Sequence, residues 1–214
     1  MHPAQPDVYA PGLTDTPLFG TLRHLEERLS PMPNKIQSYH TDFAKIFADF
    51  DLEALSTAAQ LVADCYAADK QIFTAGNGGS AAVAIHFAAD FGKNVAGPND
   101  KHPRILSLCC NSATITALAN DCGYENIFCH QLRSLLNPGD LVVLVSSSGN
   151  SPNVVEAAKF AKSGGASVIG MTGFSGGKLK ELADVSLHVP CDVYELVEDA
   201  HSFFCHAIVT ACKR

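Results

Sequence analysis

Five short apolar runs, at residues 71–75, 105–109, 141–145, 167–171 and 185–189, each lead into a turn or a helical segment. This alternation constrains the fold more than any other feature of the chain. Runs of that length bounded by turn residues read as buried strands. Leu141, Val142, Val143, Leu144 and Val145 are continuously apolar, the pattern of a strand covered on both faces. The sequence therefore predicts an α/β fold with a parallel sheet and helices on both sides of it. In such sheets ligands sit at the carboxyl ends of the strands, so the loops after residues 75, 109 and 145 should share one edge.

Ahead of the first strand, apolar spacing predicts helices over Ile36–Phe50 and Leu52–Ala68. Pro3, Pro6, Pro11 and Pro17 mark residues 1 to about 18 as an irregular arm, and Thr21–Leu29 reads as a short helix before a break at Pro31 and Pro33. The expected division is an N-terminal arm, 1–33, and one domain, 34–214.

The first strand runs into Gly76-Asn77-Gly78-Gly79-Ser80. Glycines let the backbone approach a ligand closely, and Ser80 is expected to cap a helix whose unpaired N–H groups and positive dipole end face the loop. That arrangement suits a phosphate or a carboxylate. Gly76, Gly78 and Ala81 also satisfy the relaxed dinucleotide fingerprint G-x-G-x-x-A, but the second strand ends in Cys109, Cys110 and Asn111 with no acid to hold a ribose. A third reading is that the glycines only shape a tight turn. Further along the helix His86 and Asp90 lie four residues apart and share a face.

A second loop of this kind follows Val145. Ser146, Ser147, Ser148 and Ser151 surround Gly149, and Pro152 suits the first turn of the next helix with Ser151 as its cap. The hydroxyls could merely cap and turn the chain. Two such loops at strand ends favour ligand binding, with neutral donors in place of a lysine or arginine.

Composition narrows the classes. The 214 residues suffice for one sizeable core, and no apolar run reaches the ~18 residues of a membrane span. The first residues lack a secretory pattern, so a soluble cytoplasmic protein is expected, with no membrane partner. Eight cysteines without a C-x-x-C pair read as reduced, mostly buried thiols. A net charge of −7 argues against nucleic acid as a direct ligand.

The segments AGNGGSAAVAIHFAADF, LVSSSGNSPNVVEAAKFAK, MTGFSGGKLKELADVSLHVP and VEDAHSFFCHAIV together resemble the sugar isomerase (SIS) domain, in its phosphoheptose isomerase branch, from about residue 34 to the end. The resemblance implies a five-stranded parallel sheet flanked by helices, a flavodoxin-like three-layer sandwich. It also implies a homotetramer with active sites between subunits, and conversion of the phosphorylated sugar sedoheptulose 7-phosphate to a heptose 7-phosphate on the way to activated heptoses. Carried over by position, substrate contacts fall on Asn77, Gly78, Ser80, Asn111, Ser146, Ser147, Ser148 and Ser151. The family's catalytic glutamate is Asp90 here, its C-terminal glutamine is Glu198, and its aspartate after the second strand is Asn111.

Moving a proton between neighbouring carbons through an enediol needs a base and an acid. Asp90 is the candidate base and His206 the candidate acid; a partly closed pocket that raised the carboxyl pKa would suit that work near neutral pH. The resemblance further implies zinc on His86, Asp90, Glu198 and His206, a chemically reasonable set of two imidazoles and two carboxylates. Other expectations of the same resemblance are a non-catalytic binding module and a regulatory sugar-phosphate sensor.

Overall fold

The structure, a computed structural model, describes residues 31–97 and 101–213. The arm up to residue 30 and the helix expected at Thr21–Leu29 lie outside the described residues. In chain order the elements are α1 (Met32–Ala48), α2 (Leu52–Ala67), β1 (Gln71–Gly76), α3 (Gly79–Asn94), β2 (Arg104–Ser107), α4 (Ser112–Cys122), a 3₁₀ turn (Tyr124–Asn126), α5 (Ile127–Leu135), β3 (Leu141–Ser146), α6 (Pro152–Ser163), β4 (Ser167–Thr172), α7 (Gly177–Leu182), β5 (Val185–His188) and α8 (Tyr194–Cys212). The described residues from Asp42 onward form one compact unit, apart from those up to Thr41.

All five expected strands are present and pair in parallel, in the order β2-β1-β3-β4-β5. Successive strand side chains point to opposite faces. Ile72, Leu141, Val143, Val145, Ile169 and Met171 therefore pack on one side with Leu55 and Val62 of α2, Phe87 and Phe91 of α3, and Phe204 and Ile208 of α8. Phe73, Ala75, Val142, Leu144 and Val168 pack on the other side with Phe128 and Leu132 of α5 and Val154, Ala157 and Ala161 of α6. Every residue of the middle strand β3 is buried, which explains its unbroken apolar run. Asp140 sets the register of β3 from below: its Oδ1 accepts from the Gln71 N–H at 2.9 Å and its Oδ2 from the Asn137 N–H at 2.7 Å.

Most boundaries shift by a residue or two, and those of α1 and β2 have a physical reason. Pro33 lies in the first turn of α1, where a missing N–H costs no hydrogen bond, so the helix predicted over Ile36–Phe50 starts earlier and ends at Ala48. Strand β2 is an edge strand whose burial alternates only weakly, and it stops at Ser107; Leu108 adds one more ladder bond to the Thr74 carbonyl before the chain turns through Cys109. Of the eight cysteines, all free, only Cys65, Cys129 and Cys205 are buried, while Cys110 and Cys122 are exposed. Among the described residues no helix is long and apolar enough to cross a membrane.

Candidate active site

The strand order reverses between β1 and β3, and a cavity of about 290 Å³ opens at their carboxyl ends. Its walls are the first loop (Asn77, Gly78, Gly79, Ser80), the second loop (Ser146, Ser147, Ser148, Ser151), and Tyr194 and Glu198 from the start of α8. Seven of the eight expected substrate contacts meet here. The eighth, Asn111, is exposed outside the cavity, where its Oδ1 accepts from the Thr114 N–H and caps α4.

Local geometry explains the glycines. A Cβ on Gly76 would come within 2.7 Å of the Ser80 carbonyl group and 2.9 Å of the Val145 carbonyl oxygen, so only glycine lets β1 end against both loops. Gly78, at φ 54°, caps α3, and the turn it makes starts the helix before Ser80. The expected cap Ser80 instead lies buried within the first turn. Gly79 and Ser80, whose N–H groups are the first of α3 and have no partner inside the helix, both line the cavity, while the Ala81 N–H is taken by the Asn77 and Gly78 carbonyls.

The second loop is held by its backbone. The Gly173 N–H donates to the Ser147 carbonyl at 2.8 Å and the Gly149 N–H to the Ser146 carbonyl at 2.9 Å. Ser151 caps α6 by position, but its hydroxyl pairs with that of Ser146 at 3.2 Å rather than with a helix N–H. The Ser147 hydroxyl is buried in the cavity wall and has no hydrogen-bond partner among the described residues. A buried orphan donor is costly, and a bound anion would satisfy it. Among the described residues no lysine or arginine lines the cavity, and the one carboxylate there, Glu198, lies against Gly79 at the positive end of α3.

The titratable cluster sits on the same two helices, further along. Asp90 Oδ2 lies 3.1 Å from His86 Nε2 and 3.6 Å from His206 Nε2, and the two rings are 5.0 Å apart. His206 stands eight residues after Glu198 on α8, about 12 Å along the helix axis. Side-chain exposures of 54%, 31% and 54% for His86, Asp90 and His206 make this an open surface site, so His206 is not a core histidine. One ligand atom from each residue lies within 4.8 Å of the others, and two imidazoles with a carboxylate form a set able to hold a metal ion. Glu198, expected as a fourth ligand, is not in that group.

Two features were not anticipated. Tyr194 lines the cavity; its place four residues before Glu198 on one helix face was the available signal. His201 is fully buried on α8, and neither ring nitrogen makes a hydrogen bond. Burial pushes its pKa down to about 4, opposed by the nearby Thr172 backbone, with His188 adding a smaller push in the same direction as burial.

A family model described as the SIS domain matches residues 38–173. The phosphoheptose isomerase of Campylobacter concisus is 40% identical over 160 residues, covering 75% of this chain and 84% of the relative. The solved structure of a phosphoheptose isomerase from Neisseria gonorrhoeae superposes with a TM-score of 0.79 at 31% identity, covering 85% of this chain and 98% of that one. A phosphoheptose isomerase from Francisella tularensis gives 0.78 at 27% identity, covering 86% and 99%.

Proposed function

Because the chain belongs to the SIS domain family, we propose that it is a sugar-phosphate isomerase converting sedoheptulose 7-phosphate to a heptose 7-phosphate. One observation carries the reading. Helices α3 and α8 each give their first turn to a hydroxyl-lined cavity and a later turn to one carboxylate–imidazole cluster. A substrate with an anion at one end and a reacting carbonyl at the other matches that division.

The phosphate is held by Asn77, Ser80, Ser146, Ser147, Ser148, Ser151 and the N–H groups around Gly78, with the Ser147 hydroxyl, which pairs with no described residue, as one of its donors. Binding the anion at that end fixes where the sugar carbons lie relative to the cluster, which turns a bimolecular encounter into an oriented one. Asp90 takes the proton from the carbon beside the carbonyl and returns it to the neighbouring carbon. His206 protonates the carbonyl oxygen as the enediol forms, and takes that role in reverse on the way out. His86, 3.1 Å from Asp90, holds the carboxylate in place.

The donors His86, Asp90 and His206 also fit a divalent ion such as zinc; an Asp90 or His206 tied to it could not at the same time act as free base or acid, so the ion would either organise the substrate oxygens or occupy a resting state. A divalent ion held there supplies Lewis-acid polarisation of a substrate oxygen. Asn111, outside the cavity, is expected to reach the substrate only in the assembled enzyme, and a homotetramer in the cytoplasm is the setting proposed for it. Residues 34–214 constitute the SIS module in this reading and 1–33 its arm. Incubation with sedoheptulose 7-phosphate in deuterated water tests the enediol route: deuterium should enter the aldose at the carbon beside the carbonyl, and product formed with no such label would reject Asp90 as a base exchanging its proton with solvent.

A further inference from the structure

Asn77 is tied to Tyr124 and Asn153, neither of them among the expected substrate contacts. Its Nδ2 donates to Asn153 Oδ1 at 2.9 Å, and Asn153 Nδ2 donates back to Asn77 Oδ1 at 2.8 Å, a reciprocal amide pair. The orientation of that pair follows from the backbone. The Val154 N–H lies 3.0 Å from one terminal atom of Asn153 and can only donate, so that atom is the oxygen. The nitrogen of Asn153 must then face the oxygen of Asn77. The Tyr124 hydroxyl, 3.0 Å from the same Asn77 oxygen, donates to it as a second partner. Both lone pairs of that oxygen are thereby used, and the one polar valence left on the Asn77 side chain is an N–H.

We propose that Tyr124 and Asn153 are positioning residues that lock Asn77 as a hydrogen-bond donor to the anionic group of the ligand and hold the two loops at a fixed spacing. Asn153 is 1% exposed in the first turn of α6, directly after the serine loop, while Asn77 belongs to the glycine loop, so the amide pair is a bridge between them. A flipped Asn77 would point a carbonyl at an anion, and the pair forbids it. The inference deepens the sugar-phosphate reading and rests on it for the identity of the anion.

The test is a double-mutant cycle read by calorimetric binding of inorganic phosphate and by steady-state turnover of sedoheptulose 7-phosphate. Tyr124→Phe removes only a hydroxyl from a ring that is more than half exposed, so the fold should survive. In the otherwise wild-type protein it is expected to weaken phosphate binding by about three- to tenfold. The same factor should appear in KM, with kcat moving less. In an Asn77→Ala background, with Asn77→Ser as a second background, the same substitution should have no further effect, because its route is gone. Phosphate binding unchanged in Tyr124→Phe, or an equal loss in both backgrounds, overturns the inference, as does wild-type protein that binds no phosphate. Wild-type protein that binds phosphate and passes the cycle but turns over no sugar would leave this inference standing and remove the isomerase reading instead.

Discussion

Nε2 of His206 stands 3.6 Å from Oδ2 of Asp90, bringing together the last helix of the chain and the helix that follows the first strand. Neither residue reaches the other by local sequence. The central sheet does it, by seating α3 and α8 side by side on one face.

If that contact is the acid–base pair, Asp90→Asn and His206→Ala should each lower kcat by roughly 10²–10⁴-fold. Phosphate affinity should stay close to the wild-type value, since neither side chain lines the cavity. Turnover assays paired with phosphate calorimetry separate the two effects; full activity in either variant rejects its assigned role.

Metal binding makes an independent prediction. Protein purified without chelator should carry a divalent ion, and His86→Ala should reduce its affinity by at least tenfold, since one of three clustered donors is lost. Elemental analysis of the two proteins decides it. No metal on the wild-type protein, or equal content on both, removes the ion from the account.

His201 gives the fold a pH dependence of definite sign. Its folded pKa of about 4 lies below the usual value near 6.5. Above pH 6.5 the ring is neutral in both states. Below it, the unfolded chain takes a proton that the buried ring refuses, so stability falls between pH 6.5 and 4, by about 3 kcal/mol in total. Urea unfolding at pH 7.5, 6 and 5 should show this slope in the wild type and not in His201→Gln. An equal slope in both would assign the acid sensitivity to other groups.

The two glycines at the first loop should differ in consequence. Gly76→Ala places a methyl group against fixed backbone on two sides and is expected to cost about 2–3 kcal/mol. Gly78→Ala meets nothing, and pays only for its positive φ, about 1–2 kcal/mol. Denaturant midpoints of the two variants, with Gly78→Ala the more stable, are the check.

The sheet was legible because β3 and its neighbours bury both faces, which leaves an apolar run that depends on no partner outside the strand. The serine loop was legible too, since Ser151-Pro152 marks a helix start by local rules alone. Ser80 was misplaced as a cap because the positive φ of Gly78 turns the chain before it. The lock on Asn77 could not be read at all: its partners lie 47 and 76 residues away, and asparagine and tyrosine carry no periodic signal. Where Glu198 rests likewise depends on how close α8 comes to Gly79, a tertiary distance that spacing along one helix does not encode.

One assay bears on the central claim more directly than any other. Metal-replete wild-type protein is mixed with sedoheptulose 7-phosphate and the appearance of the aldose is followed, beside the Asp90→Asn variant under the same conditions. Steady formation of heptose 7-phosphate by the wild type, with almost none from the variant, is the result this structure predicts; no conversion by folded, phosphate-binding wild-type protein would contradict it.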